Sequence, residues 1–212
     1  MPVDTVVFDV LGTLVDQEGG LREALAGRVP DVADAVARWQ RYIAGEHRRV
    51  VAGERPYVPA DVLDREAAEH VVGERADDLA DVTARLDAWP DTAEILERLA
   101  ATHEVVALSN ADHATLLRLD AHAGLRWHAA LSTEAVRSYK PDPAVYRLAI
   151  ERVARPPARI LMVAAHAWDL RGAQAAGMRT AFLDRPGADA PTAQDRFDHH
   201  VTSAGELLAA TA

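Results

Sequence analysis

The sequence predicts an α/β protein: a doubly wound, Rossmann-like parallel sheet with a block of helices inserted after the first strand. Apolar runs at residues 5–8, 104–109, 160–165 and 179–183 lack the alternation of half-exposed strands, so they read as strands buried on both faces. Helical patterns separate the later runs, and strands alternating with helices build a parallel sheet. Between the first run and residue 89, by contrast, only helical patterns and their breakers occur.

Taken in order, the first run delivers a carboxylate, Asp9, and then breaks into Gly12-Thr13. Residues 17–27 read as a turn into a short helix. Residues 31–52 place Val32, Ala35, Val36, Trp39, Ile43 and Val50 near helical spacing. Glycine and two prolines within 53–59 end that pattern. Residues 60–73 and 75–88 read as two more helices, the second opening near Asp77-Asp78, acids suited to a first turn. Trp89-Pro90-Asp91 marks the return to the core, with Asp91 expected to cap a helix over 92–101. A strand at 104–109, a helix around 112–123 and a short strand near 128–131 follow. The rigid loop 138–143 starts a helix at 143–154. The run 160–165 leads through His166 and Trp168-Asp169 into a helix at 170–176, which Gly177 stops. A strand at 179–183, then a short strand and helix within 199–210, complete the chain. The expected division is a core of residues 1–15 and 89–212 and a helical insertion of 16–88.

Composition narrows the function classes. Apolar content of 49% and charged content of 26% are those of an ordinary globule. No apolar run approaches membrane-spanning length and the N-terminus has no signal pattern, so no membrane association and a cytoplasmic location are expected. With no cysteine, disulfides, thiolate metal sites and a thiol nucleophile are excluded. A net charge of −10 argues against nucleic acid as a partner, while a local cationic pocket can still hold a small anion. The state of assembly, monomer or homodimer, is left open.

Polar residues recur where four core strands or loops end: Asp9, Ser109-Asn110, Lys140 and Asp169. In a parallel sheet these ends lie on one edge and share a pocket. The four stretches Asp9-Val-Leu-Gly-Thr-Leu14, Leu108-Ser109-Asn110, Tyr139-Lys140-Pro-Asp-Pro-Ala-Val-Tyr146 and Trp168-Asp169-Leu-Arg-Gly172 resemble the motifs of the haloacid dehalogenase superfamily. The resemblance runs over almost the whole chain and is nearest to the 2-haloacid dehalogenase branch. It implies the Rossmann-like core, a helical cap at 16–88, and hydrolysis of a carbon–halogen bond of a small anionic 2-haloacid. Two residues after the nucleophile, phosphatases of the superfamily carry a second aspartate that protonates the leaving group. Here that residue is Leu11, which cannot exchange a proton, and a departing halide needs none.

The same resemblance implies the roles. Asp9 attacks the halogen-bearing carbon and forms an ester. Lys140 holds Asp9 ionised. Thr13 and Ser109 offer hydroxyls to Asp9 or to the substrate carboxylate, Asn110 cradles the halide, and Asp169 orients Lys140 or the hydrolytic water. Trp168 belongs with the substrate-facing residues. Tyr146 reads equally as part of this network or as a core tyrosine. No cofactor and no metal are expected. The alternatives are a phosphatase binding Mg²⁺ through Asp9 and Asp169, and a non-catalytic binding protein on the same fold.

Three departures from the family pattern bear on these roles. Trp39 is followed by Gln40 where an anion-binding arginine is usual, and Arg41, one place later, is expected to take over that task. Ala164-Ala165-His166 replaces Ser-Ser-Asn, so His166 reads either as a structural residue or as a base for the hydrolytic water. Leu11 replaces a bulkier aromatic and alters the pocket's shape.

Overall fold

The computed structural model describes residues 2–73, 76 and 79–211. Six strands, β1 (Thr5–Phe8), β2 (Glu104–Ser109), β3 (Ala129–Ser132), β4 (Ile160–Ala164), β5 (Arg179–Leu183) and β6 (His199–Val201), form one sheet. Its order is β3-β2-β1-β4-β5-β6, and every neighbouring pair is parallel. The chain runs outward from β1 to β2 and β3, then crosses back to β4 and outward the other way. The reversal lies between β1 and β4, and a crevice forms beyond the carboxyl ends of strands at such a point.

Both faces of the sheet are covered, which is why its strands carry unbroken apolar runs. Val6, Phe8, Val105, Ala107, Leu161, Val163, Ala181 and Leu183 point to one face. There they pack on α4 (Thr92–Ala100), α5 (His113–Ala123) and α8 (Ala204–Thr211). Val7, Val106, Leu108, Ile160, Met162, Ala164 and Phe182 point to the other, against α6 (Pro143–Val153) and α7 (Ala167–Ala175). The doubly wound sheet expected from the sequence is therefore present.

Between β1 and α4 the chain is helical: α1 (Gln17–Leu25), α2 (Val32–Val51) and α3 (Ala60–Val72). These helices bury Leu21, Leu25, Ala35, Val36, Trp39, Ala67, Ala68 and Val71 in an apolar cluster of their own. Tyr139, from the core loop before α6, joins Val50 and Leu63 in a smaller cluster between block and sheet, and donates its hydroxyl proton to the Val58 carbonyl at 2.8 Å. No helix of the described residues is long and apolar enough to cross a membrane.

Three expectations need correcting. The described part of 75–88 holds turns and short 3₁₀ structure such as Thr83–Arg85, rather than an α-helix, because Leu79, Val82 and Ala84 bury at irregular spacing. The acids Asp77-Asp78 lie outside the described residues. Asp91 stands at the N-cap of α4, but its carboxylate binds Arg185 (2.8 Å) instead of the helix end. Finally, α7 starts at Ala167, with His166 at its N-cap, so Trp168 and Asp169 occupy a first turn, where an acid is favoured.

Candidate active site

Asp9 follows β1 directly, its amide still bonded to the Val163 carbonyl of β4 (3.0 Å), so the strand ladder fixes where its carboxylate emerges. The chain then turns at Gly12, whose φ of +81° favours glycine. That turn brings Thr13 back, and its hydroxyl donates to Asp9 Oδ2 at 2.6 Å while accepting the Ala165 amide at 2.9 Å. Two further bonds hold the turn from behind: Trp89 Nε1 donates to the Gly12 carbonyl (3.2 Å) and Arg185 Nε to the Thr13 carbonyl (3.0 Å).

Lys140 reaches in from the loop before α6. Its backbone amide is pinned by Asn110 Oδ1 (3.0 Å), and Asp142 caps the helix that follows. Its buried ammonium bridges Asp9 Oδ1 (3.0 Å) and Asp169 Oδ2 (2.7 Å). Tyr146, one turn into α6, donates to Asp169 Oδ1 at 2.7 Å. Room for that ring comes from Gly172, where an added Cβ would stand 2.4 Å from the tyrosine oxygen. His166 Nδ1 lies 3.1 Å from Asp9 Oδ2, its ring packed against Gly12 and tilted over Trp168 with centroids 5.6 Å apart.

The charges settle as one network. Burial works against an ionised Asp9, but Lys140 and His166 beside it outweigh that and hold its carboxyl well below the usual range. Burial raises Asp169, which Lys140 only partly offsets. For Lys140 the order reverses: desolvation opposes the charge, and the two carboxylates together raise its pKa. Burial likewise opposes an imidazolium at His166, and the hydrogen bond to Asp9 and its charge overcome it, so His166 is raised. The result is an ionised, buried carboxylate with the Lys140 ammonium on one oxygen and the His166 imidazole on the other, poised at the end of β1.

Asp9 opens on a cavity of about 320 Å³, within the size range of small-molecule sites. Leu11, Gln40, Asn110, His166 and Trp168 line it. Arg41 does not: it is exposed and faces Asp34 at 3.9 Å. One residue of helix is about 100° of rotation, and on α2 that turns Arg41 away from the cavity-facing stripe Trp39, Gln40, Ile43, Ala44 and His47. Ser109 stays behind the cavity, its Oγ accepting the Ala111 amide (3.1 Å). The structure thus brings together Asp9, Thr13, Lys140, Asp169, Tyr146 and His166, places Leu11, Gln40, Asn110 and Trp168 around them, and leaves Arg41 outside.

Several lining residues were not anticipated: His47, Asp64 and Thr83 on the helical side, and 187–189 after β5. His47 was discoverable, since it stands two turns from Trp39 on the same stripe. Asp64 and the 187–189 loop carry no motif. Asp189 reaches the site through the Ala167 and Trp168 amides, a contact no local pattern encodes.

Magnesium does not fit these donors. The two carboxylates it would use, Asp9 and Asp169, are already bridged by the Lys140 ammonium, with Thr13, His166 and Tyr146 on their other oxygens. Among the described residues no cluster of three or more His, Asp or Glu side chains could hold a metal ion.

The model of the haloacid dehalogenase-like hydrolases matches residues 3–177. The (S)-2-haloacid dehalogenase H-109 of Pseudomonas putida is 29% identical over 198 residues, 88% of each chain. The (S)-2-haloacid dehalogenase of Xanthobacter autotrophicus is 30% identical over 193 residues, 86% of this chain and 76% of that one. Among solved structures, the L-2-haloacid dehalogenase PA0810 superposes with a TM-score of 0.89 at 32% identity, covering 99% of this chain and 100% of that one. The Xanthobacter autotrophicus enzyme with chloropropionic acid covalently bound superposes with a TM-score of 0.85 at 26% identity, covering 97% and 96%.

Proposed function

Because the chain belongs to the haloacid dehalogenase-like hydrolases, we propose that it hydrolyses the carbon–halogen bond of a small 2-haloacid through an ester on Asp9. The observation that carries this reading is a buried Asp9 kept ionised by Lys140 at the floor of a cavity, with Leu11 rather than an acid beside it. An ionised carboxylate is the nucleophile that displacement at carbon needs. Leu11 cannot protonate an alkoxide leaving group, and halide leaves without a proton. Residues 16–88 act as a cap that supplies the cavity's second wall, and the core comprises 1–15 and 89–212. Gln40 and Asn110, which line the cavity, serve the substrate's anionic groups.

In the first step an Asp9 oxygen forms a bond to the substrate's second carbon as the carbon–halogen bond breaks and halide leaves with its electron pair. Esterification cancels the Asp9 charge that raised His166, so burial now favours the neutral imidazole and its proton follows the halide out. Neutral His166 then takes a proton from water as the oxygen attacks the ester carbonyl. Collapse releases the 2-hydroxyacid and restores Asp9 carboxylate beside His166 imidazolium. The net reaction consumes one water and releases halide and one proton. Lys140, held by Asp169, which in turn accepts the Tyr146 hydroxyl proton, steadies the carboxylate throughout. The test is halide release from L-2-chloropropionate in the presence of EDTA. Release by wild type that is lost in Asp9→Asn supports the reading; release that needs magnesium, or survives Asp9→Asn, overturns it.

A further inference from the structure

A carboxyl on the helical wall of the cavity has no part in this reaction. Asp64, on α3, is only 8% exposed yet lines the cavity on the helical side, beside Thr83, Ala44 and Ala60. Its Oδ2 accepts the Thr83 hydroxyl proton at 2.7 Å, and the Trp39 side chain hydrogen-bonds the carboxyl as well, so both of its protein partners are neutral. The charged groups that act on it most, Asp112 and Asp61, are acids, and among the described residues no cation is paired with it. A buried carboxylate without a cation is costly, so its presence on a cavity wall calls for a partner from within the cavity.

The rest of the cavity says what that partner is. Among the described residues no lysine or arginine side chain lines it, and its raised imidazole, His166, sits at the Asp9 end with the Asn110 amide. A substrate carboxylate is better placed at that end, where Lys140 and His166 stand on the Asp9 carboxylate, than beside Asp64, which has no cation partner. The remainder of the substrate therefore points toward Asp64, and the small side chains Ala44 and Ala60 leave it space. A three-carbon haloacid fills only part of about 320 Å³, which has room for roughly ten waters.

We propose that Asp64 and Thr83 form a subsite for a hydrogen-bond-donating substituent, hydroxyl or ammonium, on the distal end of a longer 2-haloacid. The donor's proton goes to a carboxylate oxygen of Asp64. Because Thr83 spends its own proton on Asp64, its oxygen is left as an acceptor for the same substituent. The proposal rests on the dehalogenase reading for the reacting end and goes beyond it at the other.

Two measurements test it. Halide release from L-2-chlorobutyrate and its 4-hydroxy and 4-amino derivatives is compared in wild type, Asp64→Asn and Asp64→Leu. Wild type is expected to prefer the donor-bearing acids by at least about tenfold in kcat/KM. Asp64→Leu collapses both ratios, and Asp64→Asn loses the amino preference while keeping part of the hydroxyl one. Binding of the same acids to Asp9→Asn by calorimetry reads the subsite without chemistry. Equal binding of the three acids, or a preference that survives Asp64→Leu, overturns the subsite. Preferential binding without any halide release by wild type instead overturns the dehalogenase reading and leaves the subsite standing. Asp64→Asn, nearly isosteric, guards against a loss caused by misfolding.

Discussion

His166 is the residue whose chemistry depends most on its neighbour's charge. While Asp9 is ionised 3.1 Å away the imidazole is raised, and once Asp9 is an ester the same burial favours the neutral base. His166→Ala should therefore leave the alkylation of Asp9 and slow the second step, by about 10²–10⁴-fold. Intact-mass spectrometry after mixing with 2-chloropropionate should find the protein carrying the 1-carboxyethyl ester of Asp9; an unmodified protein at a normal rate of turnover would remove His166 from the reaction. Asp64 gives a second prediction, on stability. Burial lifts it from 3.8 to about 6, so the folded state holds its proton more tightly than the unfolded chain. Its favourable contribution is complete below about pH 4 and is lost as pH rises through 6, a difference of up to about 3 kcal/mol. Asp64→Asn should accordingly be more stable than wild type at pH 8, with the gap closing toward pH 4, as urea unfolding at a series of pH values would read. At this scale Asp9, Lys140 and Asp169 were legible in the sequence because Asp9 follows a strand, Lys140 sits in a rigid loop and Asp169 stands just beyond a strand, in the first turn of the next helix. Asp64 was not, since its meaning comes from a cavity wall assembled from α2, α3 and the 3₁₀ turn.

Elements decide which of two adjacent residues reaches the site. Gln40 and Arg41 are neighbours in sequence, but α2 turns Gln40 to the cavity and Arg41 to solvent beside Asp34. Arg41→Ala should leave KM for a haloacid unchanged, whereas Gln40→Ala should raise it, as steady-state kinetics on the two variants would show. The turn after β1 is an element held from outside. Arg185 binds the Thr13 carbonyl and Asp91, and its guanidinium lies over the Trp89 ring, which itself bonds the Gly12 carbonyl. Arg185→Met leaves Asp91 and a carbonyl without that donor, so a loss of about 1–3 kcal/mol in urea unfolding is expected. Periodicity found α2 and the strands, whose burial is one- or two-faced and regular. It misread 75–88, where short turns bury apolar residues without a period, and set the start of α7 three residues late because Ala167, Trp168 and Asp169 have no cap signature of their own.

For the whole molecule, the question is how the helical block is held over the sheet edge. The Tyr139 hydroxyl on the Val58 carbonyl, and the stacking of His47 on Tyr139 at 3.8 Å, join the two at the cavity's flank. Burial pushes the His47 imidazole down to about 3, so this stack stays uncharged at working pH. Tyr139→Leu should loosen the block while sparing the sheet, seen as faster amide exchange in α2 and α3 than in β1 and β4. What the sequence by itself determined is the sheet, the helical insertion and the line of polar residues along one edge, because strand burial, helix period and turn chemistry are local and leave a repeating mark. Only the tertiary structure decided that Lys140 spans both Asp9 and Asp169, that Arg41 faces away, and that Asp64 closes the far wall. Each of those depends on distances between segments far apart in the chain, set by how the helices dock across the reversal between β1 and β4.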